Sequence, residues 1–343
     1  MTDLPGIRVD AVTAWLAEHT PQLTLPLSFE LIAGGRSNLT YRVTDAAGHA
    51  WALRRPPLGH LLATAHDMAR EHRIVSALGH TNVPVAPLVG LCDDLGVNDA
   101  PFYVMGFVDG VVLRDQQAAL AVNPAVRRRA CTTMIDTLVA IHHVDVDAVG
   151  LGTLGRKDGY IARQLKRWRQ QFEDSKTREL PEIAHVHDVL VDRIPLQQGS
   201  GIVHGDFRLD NCILSPDGEM RAVLDWELCT LGDVLADVAQ LLVYWCEPTD
   251  DAYTLESPPT VAPGFFTRDE VVSAYARQSP LDLSDFDFYL AFAYWKVACI
   301  IEGVYARFRD GAMGSADAGG DIETFARRVE LLARRAAETA SRL

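Results

Sequence analysis

The chain is short of the features that would place it outside a reducing compartment or in a bilayer. Its six cysteines, Cys92, Cys131, Cys212, Cys229, Cys246 and Cys299, are widely scattered, and no CxxC pair occurs. That spacing argues against a disulfide framework or a zinc site and predicts six reduced, mostly buried thiols in a cytoplasmic protein. The opening residues, MTDLPGIRVD, lack a basic stretch followed by an apolar one, so no secretory leader is expected. The most hydrophobic run, 288–305, contains Lys296 and Glu302 and is preceded by Asp285 and Asp287. It reads as a buried core helix rather than a membrane span. Positive charge is scarce: 32 Lys and Arg stand against 46 Asp and Glu, a formal net charge of −14. This balance disfavours nucleic acid and anionic membrane as partners, and any anion site must concentrate its cations locally. There is no internal repeat, no low-complexity tract and no GxSxG, so acyl transfer by a serine nucleophile has no support.

What is present suffices for two domains or two large lobes. The chain has 343 residues, 48% of them hydrophobic, with a mean hydropathy near zero, as in soluble globular proteins. An amphipathic helix is expected over 7–19. Three short runs within 27–55, divided by Gly34-Gly35 and Ala46-Ala47-Gly48, predict three antiparallel strands. A helix follows at 61–78, then strands at 86–92 and 102–108. Beyond Gly110 the pattern turns helical: 124–143, 159–175, 181–194, 233–246, 268–277, 284–310 and 321–343. The expected division is an N-lobe with its leading helix over 1–107 and a helical C-lobe over 108–343, an α+β architecture. Residues 247–264, rich in Pro, Thr, Asp and Ser, read equally as a lid or binding loop and as a disordered insertion.

The most informative stretch is 202–227, IVHGDFRLDNCILSPDGEMRAVLDWE. Asp206 precedes Asn211 by five positions, and Asp225 follows fourteen later. An aspartate beside an acceptor hydroxyl can orient it and take its proton. An asparagine and a second aspartate supply hard oxygen ligands for the Mg²⁺ that bridges ATP phosphates. His204 to Asn211 fit the kinase catalytic-loop pattern H-R-D-x-x-x-x-N, with Gly205 in place of arginine. The Ser215-Pro216-Asp217-Gly218 turn signal lies between two apolar runs, which puts Asn211 just before a hairpin and Asp225 just after it.

With these segments in view, the chain resembles the aminoglycoside phosphotransferase-like kinases from about residue 27 to about residue 300. GGRSNLTYRV, LRRPPLG, REHRIVSAL, VPVAPLVGLCDD, PFYVMGFVDG, HGDFRLDN and LDWELCTLGDVLADVAQL are similar to the branch associated with acyl-CoA dehydrogenases. The resemblance implies a two-lobed protein-kinase-like fold, with a small antiparallel-sheet N-lobe, a mostly helical C-lobe, and ATP as cofactor with Mg²⁺. It implies that Gly34, Gly35, Arg36, Ser37 and Asn38 form the loop over the phosphates, where backbone N–H groups approach phosphate oxygens. Arg54 falls where such kinases place a lysine on the α- and β-phosphates, with Arg55 as the alternative and Glu71 as the expected partner. Arg208 is assigned charge stabilisation in the transition state. Gly106, Phe107 and Val108 form the connection that would bond adenine. Asp233 is read as a helix cap that braces the catalytic loop, and Asp237 as structural. His204 is read as holding the loop. His142-His143 and His185-x-His187 are read as solvated helix faces.

Seven residues separate Asp225 from Asp233, too few for an activation segment, and no APE follows. A small-molecule hydroxyl is therefore the expected acceptor. The cations within 156–178 (Arg156, Lys157, Arg163, Lys166, Arg167, Arg169, Lys176 and Arg178) read either as a solvated face or as a surface for an anionic acceptor such as a hydroxyacyl-CoA. An antibiotic kinase and a non-catalytic nucleotide-binding pseudokinase are the alternatives.

Overall fold

A computed structural model describes residues 4–33, 38–58, 67–310 and 322–343. The chain divides into two compact units, 1–110 with 221–227, and 111–220 with 228–343. The expected boundary near residue 107 thus gains a second crossing: the short segment that carries Asp225 belongs with the first unit.

In the first unit, α1 (Val9–His19) precedes β1 (Ser28–Ala33), β2 (Leu39–Thr44) and β3 (Ala50–Arg55). Then come α2 (Met68–Leu78), β4 (Leu88–Cys92) and β5 (Phe102–Gly106). The strands form one antiparallel sheet in the order β1-β2-β3-β5-β4. Asp45 builds the β2–β3 turn by accepting from the N–H groups of Ala47 and His49, and Gly48 supplies a φ of 89°. Alternation along the strands sorts two cores. Trp51, Leu53, Phe102 and Val104 pack with Val12, Trp15 and Leu16 of α1. Ala52, Tyr103 and Met105 pack on the other face with Met68 of α2. The Asp67 side chain caps α2 by accepting from the N–H of Arg70. The helix expected from 61 is described from Met68 onward, because residues 59–66 lie outside the described residues.

The second unit contains α3 (Gln116–Leu120), α4 (Pro124–His142), α5 (Tyr160–Ser175) and α6 (Pro181–Asp192). Strands β6 (Gly201–Val203), β7 (Cys212–Leu214) and β9 (Thr230–Gly232) follow; of β8 (Met220–Val223), only Met220 is assigned to this unit. The unit closes with α7 (Leu235–Tyr244), α8 (Arg268–Ala276), α9 (Phe286–Arg309) and α10 (Glu323–Ala340). Helix α9 is long and apolar enough to cross a membrane, yet 78% of that stretch is buried. It packs against α5, α6, α7 and α10, as a core helix should. The 247–264 segment is ordered and pinned. Thr254 Oγ1 donates to the Val243 carbonyl at 2.6 Å and Thr260 Oγ1 to the Cys246 carbonyl at 2.7 Å. Arg268 bridges Glu247 and Asp250, and the Gln116 N–H reaches Ser257 Oγ. The disordered-insertion reading fails for this reason: Glu247, Asp250, Thr254, Ser257 and Thr260 have partners on or beside α3, α7 and α8, and Asp251 and Glu256 pair with arginines of α10.

Candidate active site

In the first unit the site is built around Arg54. On β3 it shares the face of Ala52, toward α2. Its Nε lies 3.1 Å from Glu71, its Nη2 2.6 Å from Asp225 Oδ1, and the same nitrogen 3.8 Å from Glu227. The Glu71 side chain is only 2% exposed. Asn38 Nδ2 donates to Glu71 at 3.4 Å and to Glu227 at 3.2 Å. Burial alone would lower the guanidinium's proton affinity, but Glu71, Asp225 and Glu227 outweigh it and raise it. Burial pushes the Glu71 carboxyl up, and Arg54 offsets this in part. Arg55 faces the opposite way. It is tied to the Gly6 and Pro56 carbonyls and to Asp99, so it belongs to the α1 side of the sheet.

Asp225 has a φ of 64°, the left-handed region that few residues other than glycine occupy. The backbone turns there directly after β8, and the carboxylate is aimed at Arg54. Of the loop expected over the phosphates, Gly34, Gly35, Arg36 and Ser37 lie outside the described residues, and Asn38 is buried. At the end of β5 the Gly106 N–H donates to the Pro87 carbonyl at 2.7 Å and the Phe107 N–H to that of Ala50 at 3.1 Å. Those two donors are spent within the sheet. Of the three residues expected at adenine, only Val108 keeps its N–H without an acceptor among the described residues.

In the second unit β6 leads into the loop 204–208, a single 3₁₀ turn at Leu209–Asn211, and β7. Asn211 Nδ2 donates to the Asp206 carbonyl at 2.8 Å and to its carboxylate at 2.9 Å. Arg208 Nε lies 3.5 Å from the same carboxylate, and Nη2 lies 2.6 Å from Asp210. Its guanidinium sits 5.1 Å from the centre of the Tyr244 ring. The Asp206 N–H donates to Nδ1 of the fully buried His204 at 3.2 Å.

The brace of this loop is Asp237, not Asp233. Asp237 accepts from the N–H groups of His204 at 2.7 Å and Gly205 at 2.9 Å. Asp233 instead accepts from the Leu235 N–H and from the Tyr289 hydroxyl at 2.7 Å, which pins the start of α7 to α9. His142 is also not solvated. It is buried, 2.8 Å from the Tyr275 hydroxyl and 3.5 Å from Asp237. Burial would push Asp237 up, but its contacts with His142 and the loop hold it below the usual carboxylate range.

Taken singly, Asn211 in the second unit and Asp225 in the first each carry a hard oxygen of the kind Mg²⁺ takes. With its amide nitrogen committed to Asp206, Asn211 has an Oδ1 that accepts no hydrogen bond among the described residues, and Asp225 Oδ2 is likewise free. No cluster of three or more His, Cys, Asp or Glu set to hold a metal occurs among the described residues.

Beside Arg208, a cleft is lined by Leu241, Tyr244, Trp245, Leu255 and the exposed Arg114. Arg114 has no ion-pair partner among the described residues. Of the eight cations within 156–178, four pair with carboxylates among the described residues. Lys157 pairs with Asp147, Arg169 and Lys176 with Glu173, Arg178 with Glu302 and Glu330, and Arg163 donates to backbone carbonyls. Lys166 and Arg167 are exposed.

Residues 28–276 match the model of the phosphotransferase enzyme family, APH. The chain belongs to that family. Its α+β fold, a five-stranded antiparallel sheet lobe and a helical lobe, is the family's kinase-like fold. A solved structure from Ralstonia eutropha JMP134, provisionally named an aminoglycoside phosphotransferase, is 32% identical with a TM-score of 0.83, covering 97% of this chain and 98% of that one. The GDP complex of aminoglycoside 2'-phosphotransferase-IIIa aligns with a TM-score of 0.64 at 13% identity, covering 95% of this chain and 99% of that one, a likeness of fold alone. Acyl-CoA dehydrogenase family member 10 of Mus musculus is 37% identical over 307 residues, which cover 86% of this chain and 28% of that protein. The chain thus spans well under half the length of the curated relatives it matches.

Proposed function

We propose that this family member transfers the γ-phosphoryl group of Mg·ATP to a hydroxyl of a small molecule, and that the acceptor is a hydroxyacyl-CoA. The observation that carries the transfer reading is the Asp206 clamp. Asn211 holds the backbone carbonyl and the carboxylate of Asp206 by one hydrogen bond each, which fixes the direction of a base while leaving the asparagine oxygen free for metal. In this reading Asp206 accepts the acceptor's proton as its oxygen bonds to the γ-phosphorus, the bond from that phosphorus to the bridging oxygen breaks, and ADP departs. Arg208 faces the charge that develops on the transferred group. Arg54, held by Glu71, lies against the α- and β-phosphates as a planar fork rather than a lysine point charge. In this reading Asn211 and Asp225 would be the residues that hold Mg²⁺, which would supply positive charge against the ATP phosphates.

Support for an acyl-CoA acceptor comes from the names of the relatives. Curated relatives are named as acyl-CoA dehydrogenase family members. The test is ADP release from Mg·ATP with a 4-hydroxyacyl-CoA, comparing wild type with Asp206→Asn. Release that depends on the acceptor and falls by roughly 10²–10⁴-fold in the variant is expected. Equal turnover in the variant would sink the role of Asp206. Turnover with an aminoglycoside but not with the acyl-CoA would move the acceptor to the antibiotic class, a reading that the acidic net charge of −14 supports.

A further inference from the structure

Two buried polar side chains stand behind the catalytic loop and have no part in the transfer described above. Gln240, on α7, donates from Nε2 to the Gly205 carbonyl. Lys296, in the middle of α9, donates from Nζ to Gln240 Oε1 at 2.6 Å. Lys296 is 7% exposed and makes no other hydrogen bond or ion pair among the described residues. Burying an ammonium against one neutral acceptor is costly, and a packed core helix would be better served by leucine or methionine.

The chain of contacts has a direction. An amide that turns its oxygen to an ammonium must turn its NH₂ away, here onto the Gly205 carbonyl. The Gly205 carbonyl, which only accepts, sets the same order, and the ammonium reinforces it by holding the oxygen end. Gly205 itself has a φ of 86°, and a Cβ there would lie 3.1 Å from the Leu228 backbone. The Gly205–Asp206 peptide is then gripped at both ends, its carbonyl by Gln240 and its N–H by His204 Nδ1. Bonds in such a chain polarise one another.

We infer that Lys296 is a positioning residue for phosphoryl transfer: acting through Gln240, it fixes the Gly205–Asp206 peptide and so the direction in which Asp206 presents its carboxylate. The kinetic half of this inference rests on Asp206 acting as the base, while the grip on the loop is measurable without it. The charged groups that act on Lys296 are Asp237 on α7, Asp206 on the loop and Arg167 on α5. Burial brings the ammonium down to about 8, with the two aspartates opposing the fall. It is therefore charged at pH 7 and loses its proton within a usable pH range.

Two variants test this, Lys296→Met and Gln240→Glu, read by amide hydrogen exchange and by steady-state kinetics. Gln240→Glu leaves Lys296 with a partner but cannot donate to the Gly205 carbonyl, so it separates positioning from folding. In both, exchange at the Gly205 and Asp206 N–H groups is expected to rise by about tenfold, the equivalent of one lost hydrogen bond. The value of kcat falls by a similar factor with KM for ATP unchanged. Wild-type kcat declines as pH rises through about 8, and that limb is absent in Lys296→Met. Unchanged exchange over 204–206, or exchange that rises equally along α7 and α9, overturns the inference. If the wild type turns over no acceptor, the transfer reading fails, and the exchange arm still decides whether Lys296 holds the loop.

Discussion

Asp225 carries two demands on one residue, a left-handed backbone and a carboxylate 2.6 Å from Arg54. Asparagine tolerates that backbone region nearly as well as aspartate does, whereas alanine pays for it. Asp225→Asn therefore removes the charge alone, and Asp225→Ala removes the charge and adds strain. If Asp225 is a metal ligand, Asp225→Asn should weaken nucleotide binding at limiting Mg²⁺ by about tenfold or more, since a charge-assisted contact is worth about 1.5–3 kcal/mol. Asp225→Ala should weaken it at least as much and also lower Tm. Isothermal titration of ATP at low and saturating Mg²⁺ checks this, and an affinity for Asp225→Asn that matches wild type at low Mg²⁺ removes Asp225 from the ligand set.

At the scale of the strand, β3 decides a choice that ALRR leaves open by itself. Successive strand residues face opposite sides, so Arg54 and Arg55 cannot share a role. The partner set on each face makes the division: Glu71, Asp225 and Glu227 for Arg54, against Gly6, Pro56 and Asp99 for Arg55. Arg54→Ala is expected to weaken ATP binding by about tenfold or more, through loss of one charge-assisted phosphate contact. It also strands the buried Glu71. Arg55→Ala is expected to lower Tm by unfastening the Gly6 and Pro56 backbone, with ATP affinity within about twofold of wild type, as for a site with no shared partners. The opposite pattern would reverse the face assigned to the phosphates. The same period could have been read in advance, because Trp51 and Leu53 mark the apolar face that Arg55 continues.

At the scale of the molecule, local pattern was readable and convergence was not. Turn signals at Ala46-Ala47-Gly48 and Ser215-Pro216-Asp217-Gly218 locate strands because a turn constrains its own residues. The five-residue spacing of Asp206 and Asn211 was readable because both lie on one short loop. Gln240 and Lys296 reach the same loop from 35 and 56 positions away from their partners. Helix α7 is buried on nearly every side, so no periodic face singles out Gln240. Lys296 did leave a signal, a charge within an apolar run, which calls for a buried partner as much as it argues against a membrane. Strands β6 and β9, three residues each, are too short to alternate visibly. The cysteines allow a test on this scale, because all six are buried free thiols. Cys92 lies in the first unit and the other five in the second. Burial raises the Cys92 thiol and pushes Cys131 up to about 12, so neither is an effective nucleophile at pH 8. Native protein should therefore show no reactive thiol within minutes of adding a disulfide reagent, and six in strong denaturant. The first unit is the shorter of the two, and a smaller unit buries a smaller fraction of its surface, so Cys92 should be the first to react as denaturant rises. Mass mapping of the labelled cysteine reads this directly. Simultaneous labelling of all six would mean that the two units unfold as one, and a fast-reacting thiol in native protein would contradict the buried cores.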